Sequence, residues 1–227
     1  MMNISIARQR TGPRHRACVL LLCAGVLLGS GTRADPAVDW NPSSGFDAWQ
    51  TQGAEARLRR WYELIAAGPS LDAAEKLRRV NEFFNGARFL SDQELYGVAD
   101  YWATPEEFIA HDAGDCEDFA IAKYFTLKAM GMEPAKLRIT YVKSLTLNQA
   151  HMVLAYYATP DSEPLILDNL NQLIKPAGER PDLRPVYSFN TEALWLSRTR
   201  SEQIQAGNPG QLQQWRQMVA RLGPGLR

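Results

Sequence analysis

The first half of the chain carries apolar residues at helical spacing. Between residues 46 and 67 the apolar positions recur along one side of a helix, and Gly68-Pro69 ends the pattern. A second helix is predicted from a cap at Ser70 to about Asn85. Its apolar side consists of Leu71, Ala74, Leu77, Val80, Phe83 and Phe84. We expect both helices to pack in the core and not to bind a cofactor.

Two further helices are predicted from the residues at their ends. Thr104 is a good N-cap, Pro105 suits the first helical position, and Glu107 completes a capping box. A longer helix is predicted from residue 116 to residue 130, with Asp115 at its cap. The sequence therefore places Cys116 in the first turn of a helix.

After Gly131 the apolar pattern changes from helical to alternating. The predicted strands cover residues 137–143, 152–157, 164–168 and 185–189. A turn is expected at residues 160–162. Residues 86–103 are predicted to be irregular and residues 171–184 to form a polar loop, while residues 211–222 show an amphipathic helical pattern. Helices followed by an antiparallel meander indicate an α+β fold in a single domain.

The first 34 residues differ in composition from the rest. Four arginines precede an apolar run of 12 residues, 18–29, which is too short to span a bilayer comfortably. Thr32-Arg33-Ala34 then offers a small-residue cleavage site. This pattern predicts a secretory signal peptide at residues 1–34, followed by one domain at residues 35–227. A retained N-terminal anchor is the alternative.

Removal of this segment would change both the charge and the thiol content. It carries five arginines and no acidic residue, which leaves 20 basic and 25 acidic residues. A formal charge near −5 argues against nucleic acid or an anionic membrane surface as a partner. Cys18 and Cys23 would leave as well, so that Cys116 is the only thiol and no intramolecular disulfide can form. A lone thiol is either structural or reactive, and the acidic neighbours of Cys116 argue against a buried apolar site.

Cys116 occupies a position suited to a nucleophile. The unpaired N–H groups at a helix N-terminus carry partial positive charge, which favours thiolate. A cysteine nucleophile also needs a base within hydrogen-bond reach and a third group that orients the base. His111 and His151 are the histidines that follow the signal segment. His151 begins an apolar strand and is the candidate base, whereas His111 is expected at the surface.

The strand after His151 supplies a candidate for the third group. If residues 151–157 and 164–168 pair around a turn near residues 159–160, paired positions sum to about 319 and Asp168 faces His151. A register shift of one residue would place Asn169 there instead. An aspartate beside a histidine at a strand end, without a catalytic role, is the plainer interpretation.

Three acidic residues, Asp115, Glu117 and Asp118, lie next to the thiol. In one interpretation Asp115 caps the helix and the other two interact favourably with its dipole. Three carboxylates beside a thiolate, however, raise the pKa of the thiol. A calcium ion bound to their oxygens would relieve this repulsion, although the spacing matches no EF-hand. The sequence leaves both interpretations open.

Taken together, these motifs resemble the bacterial transglutaminase-like cysteine proteinases, of which the LapG-type periplasmic proteases are the best known. The resemblance covers roughly residues 60–200 and rests on a specific Asp-Cys-Glu-Asp block. The matching blocks are residues 102–108, 114–125, 137–138, 141–143, 150–154 and 167–169. The first residues after the signal segment and the C-terminal tail have no counterpart.

This resemblance implies a papain/transglutaminase-like fold with Cys116, His151 and Asp168 as a catalytic triad. It also implies calcium on the three acidic residues next to the thiol. The family's substrate is the N-terminal region of a large cell-surface adhesin, whose cleavage in the periplasm promotes biofilm dispersal. Its inhibitory partner is an inner-membrane receptor for cyclic di-GMP. The protein itself is expected not to be membrane-embedded.

Two other functions remain open on the sequence. The same triad could serve a transglutaminase or amidase that acts on protein or on cell-wall peptide. Alternatively, the chain could be a calcium-dependent binding module whose cysteine has no catalytic role.

Overall fold

The computed structural model describes residues 42–197 and 203–226, with side chains from residue 53 onward. The signal peptide predicted at residues 1–34 lies outside the described residues and stays a prediction. None of the helices in the described part combines the length and the apolar composition that a membrane span requires.

The helices lie where the sequence predicts them, apart from differences at their starts and the short helix α3, which was not predicted. They are α1 (Pro42–Ala67), α2 (Ala73–Asn85), α3 (Asp92–Leu95), α4 (Pro105–His111), α5 (Cys116–Ala129) and α6 (Gln213–Arg221). The predicted cap of α2 at Ser70 is wrong, because Ser70 belongs to a short 3-10 turn that follows α1. The cap is Asp72, whose side chain accepts a hydrogen bond of 2.8 Å from the N–H of Glu75.

Capping boxes start both short helices before the cysteine. In α4 the side chain of Thr104 accepts from the N–H of Glu107, and Glu107 accepts from the N–H of Thr104, as predicted. Ser91 and Glu94 form the same box at the start of α3. The prediction that residues 86–103 are irregular is therefore wrong at α3, where four residues are helical.

The strands form one large antiparallel sheet and one short parallel pair. They are β1 (Arg88–Phe89), β2 (Ala113–Gly114), β3 (Leu137–Ser144), β4 (Gln149–Tyr156), β5 (Leu165–Leu167), β6 (Lys175–Pro176), β7 (Leu183–Phe189), β8 (Leu194–Ser197) and β9 (Gln203–Gly207). The large sheet has the order β6-β5-β4-β3-β7-β8-β9, and β1 pairs with β2. The four predicted strands are its centre, β5-β4-β3-β7. The strands β6, β8 and β9 were not predicted, and β6 interrupts the predicted loop at residues 171–184.

The main core lies between the helices and one face of the large sheet. Trp61 of α1 is fully buried and donates its indole N–H to the hydroxyl of Thr126 in α5, at 2.7 Å. The largest buried apolar side chains are Trp61, Tyr124, Phe84, Phe108, Phe125, Phe189, Ile121, Leu127, Met130, Leu137 and Ile139. The opposite face of the sheet carries a smaller apolar cluster around Val153 and Ile166. This is the α+β architecture that the sequence predicts.

Candidate active site

Cys116 is the first residue of α5, as predicted, and its turn is fixed by a buried carboxylate. Asp118 is fully buried, and its Oδ1 accepts from the N–H of Ala103 at 2.7 Å. Its Oδ2 accepts from the N–H of Asp115 at 3.4 Å. A Cβ atom on Gly114 would lie 2.7 Å from a ring carbon of Phe108, so glycine is required for this close approach to α4. The cysteine turn is thus tied to the segment that leads into α4.

The thiol of Cys116 is half-buried and lies among groups that oppose its ionisation. Its Sγ is 3.1 Å from Oε2 of Glu117. Burial raises the pKa of the thiol well above its usual value, and the charges of Glu117 and Asp115 raise it further. The N–H of Met152 faces the thiol and lowers its pKa, but does not balance the other effects. The conflict between thiol and carboxylates that the sequence predicts is therefore present.

His151 and Asp168 form a buried hydrogen-bonded pair. Nε2 of His151 lies 2.8 Å from Oδ1 of Asp168, and both side chains are almost completely buried. Since Nε2 contacts the carboxylate, Nδ1 is the ring nitrogen left for the thiol. Met152, whose N–H faces the thiol, directly follows His151 along β4.

The predicted register of this hairpin is wrong by two residues. Leu154 pairs with Leu167 and Tyr156 with Leu165, so paired positions sum to 321 and not to 319. Because side chains alternate with a period of two, a shift of two residues keeps Asp168 on the face of His151. The side-chain oxygen of Asn169, the alternative, is buried without a hydrogen-bond partner in the described structure.

A buried arginine holds the other oxygen of Asp168. Nη2 of Arg180 donates to Oδ2 of Asp168 at 2.7 Å, and Oδ1 also accepts from the N–H of Leu170 at 3.0 Å. Burial alone would raise the pKa of Asp168, but the hydrogen bonds from His151, Leu170 and Arg180 outweigh it and lower the pKa to about 2. The carboxylate is therefore ionised and fixed in orientation. Sequence reasoning missed Arg180 because it lies in the segment predicted to be a polar loop.

Helix α2 fixes the chain that follows Asp168. Asn85 donates its side-chain amide to the carbonyl of Asp168 at 2.8 Å, and Asn81 donates to the carbonyl of Gln172 at 3.0 Å. Lys123 of α5 is buried and donates to Oδ1 of Asn81 at 2.9 Å. Burial lowers the pKa of Lys123 to about 7. Two asparagines four residues apart on an otherwise apolar helix side were the signal for this contact in the sequence.

The acidic cluster is larger than the sequence predicts. One carboxylate oxygen each from Asp92, Asp100 and Glu117 lie within 4.8 Å of one another, and the same holds for Asp92, Asp115 and Asp118. Asp92 and Asp100 were missed because they lie about twenty residues before the cysteine, in the segment predicted to be irregular. No local pattern links them to α5.

These carboxyl groups have an environment that suits a cation. Burial raises the pKa of Asp115 to about 10, and the charges of Glu117 and Asp118 add to this effect. Burial likewise raises the pKa of Asp92 to about 6. Oδ1 of Asp92 and Oδ1 of Asp115 are buried without a hydrogen-bond partner in the described structure. Unpartnered carboxylate oxygens are the ligands that calcium prefers, so the donor set fits this ion.

The three predicted ligands differ in how far they are already engaged. Both oxygens of Asp118 accept backbone hydrogen bonds. In the described structure, neither Asp115 nor Glu117 forms a salt bridge with a lysine or an arginine. Calcium on Asp115, Glu117 and Asp118 stays a prediction, to which the structure adds Asp92 and Asp100 as candidates. His111 is exposed, as predicted, and packs edge-on against Tyr96 at 5.4 Å between ring centroids.

Comparison with known proteins matches this site to a protease family. The family model described as bacterial transglutaminase-like cysteine proteinase matches residues 60–182. Solved structures of Legionella pneumophila LapG are similar: an EGTA-treated form is 50% identical, with 74% of this chain and 89% of that chain covered, at a TM-score of 0.67. A calcium-bound form is 44% identical, with 79% and 98% covered, at a TM-score of 0.67. No curated protein sequence matches the chain.

We predict that Asp168 contributes stability that is lost in acid. A carboxyl group whose pKa is lowered by folding stabilises the native state above its unfolded pKa, near 3.9, and loses this contribution as the pH falls through its folded value. With a folded pKa of about 2, the difference in unfolding free energy between wild type and Asp168→Asn should shrink by about 2 kcal/mol between about pH 5 and about pH 2. Urea unfolding across this range measures it, with Asp161→Asn on the exposed β4–β5 turn as control. A difference that does not change with pH would contradict the prediction.

Proposed function

The chain belongs to the bacterial transglutaminase-like cysteine proteinases, and we propose that it is a calcium-dependent endopeptidase of the periplasm that cleaves the N-terminal region of a large cell-surface adhesin. The family match to residues 60–182 supports the cysteine proteinase activity. The finer statements rest on the site geometry and on the resemblance of the motifs to LapG-type proteases.

The observation that carries the proposal is the arrangement around the thiol. Cys116 begins a helix, and Met152, whose N–H faces its sulfur, follows a histidine that is hydrogen-bonded to a buried ionised carboxylate at 2.8 Å. A nucleophile, a base and a group that orients the base are the three parts of a catalytic triad. We therefore assign these roles to Cys116, His151 and Asp168.

The proposed reaction proceeds in two acyl-transfer steps. Nδ1 of His151 takes the proton of the Cys116 thiol while Sγ attacks the carbonyl carbon of the scissile peptide bond. The C–N bond then breaks, the departing amine takes the proton from His151, and a thioester remains on Cys116. Water, deprotonated by His151, hydrolyses the thioester and restores the thiol. Asp168, held by Arg180, keeps the tautomer of His151 and stabilises the imidazolium.

Calcium is proposed on the acidic cluster that surrounds the thiol. Structures of Legionella pneumophila LapG include a calcium-bound form and an EGTA-treated form, which supports a role for the ion in the family. In this chain the predicted ligands Asp115, Glu117 and Asp118 would, together with Asp92, hold it, and Asp100 lies at the exposed side of the cluster. The ion would supply positive charge that offsets the carboxylates next to Cys116, whose uncompensated effect is a raised thiol pKa.

We predict that Cys116→Ala abolishes cleavage and leaves the fold intact, because the side chain is small and only half-buried. Loss of the covalent nucleophile should lower kcat by more than roughly 10³-fold. The measurement is incubation of purified protein with the N-terminal regions of large exported adhesins from the same genome, followed by mass analysis of the products. Cleavage by the variant at the wild-type rate would reject the proposal. Glutamine–amine cross-links in place of cleaved chains would assign the chain to the transglutaminases.

Calcium removal gives a second prediction. A calcium-selective chelator should inactivate the enzyme and lower its melting temperature, because an ion that binds only the native state stabilises it by mass action. Calcium should restore both properties and magnesium much less so, since magnesium demands a smaller and more regular shell. Asp92→Asn and Glu117→Gln should reproduce the effect of the chelator, whereas Asp161→Asn should not. Calorimetry that detects no calcium binding to the metal-stripped protein, with activity unchanged, would contradict the assignment.

The inhibitory partner is proposed from the resemblance alone. We expect the protein to bind the periplasmic domain of an inner-membrane cyclic di-GMP receptor encoded near it, and the complex to be inactive. Pull-down with the Cys116→Ala variant, followed by an activity assay of the wild-type complex, measures this. Recovery of no such receptor, with a cleavable adhesin in hand, would reject the partner for this chain.

A further inference from the structure

A row of directly paired residues crosses the sheet from the nucleophile to the sheet edge. It begins at Met152, whose N–H faces the Cys116 thiol. Met152 pairs with Tyr141, Tyr141 with Tyr187, Tyr187 with Leu196, and Leu196 with Ile204. Directly opposed residues in an antiparallel sheet share a face. We call Tyr141, Tyr187, Leu196 and Ile204 the apolar row.

The row next to it on the same face is buried under aromatic side chains. Ile139, Phe189 and Leu194 pair across β3, β7 and β8, and all three are at most 8% exposed. Trp102 stacks on Phe189 with ring centroids 5.8 Å apart, and Trp215 packs edge-on against it at 5.1 Å. These two tryptophans close the core on this side.

In the described structure the two tryptophans do not stack on the apolar row, whose residues become more exposed toward the sheet edge. Met152 is 4% exposed, whereas Leu196 is 52% and Ile204 38% exposed. Between them the rings of Tyr141 and Tyr187 stack in parallel, 5.0 Å apart with an angle of 6°. Burial raises the pKa of Tyr187 to about 12, and the charges of Tyr141, Glu117 and Asp100 raise it as well. The row therefore leads from buried Met152, next to the thiol, through two half-buried tyrosines to an exposed apolar surface at Leu196 and Ile204.

We propose that the apolar row binds the substrate polypeptide on one side of the scissile bond. Three strand spacings separate Tyr141 from Ile204, about 14 Å at about 4.8 Å each, which is the length of about four extended residues. Side chains of an extended chain alternate, so two of these four face the sheet. The row therefore selects substrates with apolar side chains at two alternating positions, a fixed number of residues from the cleavage site.

This inference rests on the proposed endopeptidase activity, and one experiment tests the two separately. A proteome-derived peptide library is digested with wild type and with the double variant Leu196→Ser/Ile204→Ser, and the cleaved sites are read by mass spectrometry. Labelling of Cys116 by a small thiol-directed inhibitor reports the nucleophile independently of the row. The conservative double variant Leu196→Met/Ile204→Val and Tyr62→Ser, an exposed aromatic residue of α1, are the controls.

We expect wild-type cleavage sites to be enriched in apolar residues at two alternating positions. The serine double variant should lose this enrichment and about tenfold in kcat/KM, through KM, with thiol labelling unchanged. The two controls should retain both. Equal enrichment and equal KM in wild type and the serine variant would overturn the inference while the protease activity stands. Wild-type protein that is labelled but cleaves no peptide would overturn the endopeptidase proposal and this inference with it. A wild-type dimer that the serine variant converts to a monomer would assign the row to self-association.

Discussion

The carboxylate of Asp168 accepts most of the hydrogen bonds that hold the candidate site together. It contacts the imidazole of His151 from β4 and the guanidinium of Arg180 from the segment before β7. The backbone carbonyl of the same residue accepts from Asn85 of α2. A buried charge is tolerated only when it is paired and hydrogen-bonded, so His151 and Arg180 together make the buried carboxylate stable. Helix α2, strand β4 and the segment before β7 are thus all tied to one residue, whose ionised carboxylate also orients His151.

The other half of the site is under electrostatic conflict. The helix N-terminus that favours a Cys116 thiolate is the place where carboxylates also gather, because both kinds of anion are stabilised by the same N–H groups. Asp118 accepts hydrogen bonds from the backbone N–H groups of Ala103 and Asp115, whereas Asp92 and Asp115 keep buried oxygens without partners in the described structure. The carboxylates at this helix end therefore oppose the thiolate that the N–H groups favour. A bound cation is the simplest way to satisfy both.

The sequence predicts local features well and contacts between distant segments poorly. The capping box of Thr104, the start of α5 at Cys116 and the four central strands follow from residue types and spacing alone. The edge strands β8 and β9 were missed because they are short and half-exposed and lack a clear alternation. Asp92 and Arg180 were missed for another reason. Each comes close to the site only when distant segments fold together, and apolar periodicity carries no information about such long-range contacts.

The His151–Asp168 contact also shows what kind of length variation the hairpin between them can accept. The predicted register was wrong by two residues, yet the two side chains meet, since the pleat returns each side chain to the same face at every second position. The contact between His151 and Asp168 therefore requires an even register shift and does not require one exact register. Insertions and deletions that slide β5 along β4 can persist in pairs, while a single one must be absorbed in the turn. Among related chains we therefore expect the offset of β5 along β4 to differ only by even numbers of residues, while the turn between them takes up any odd remainder.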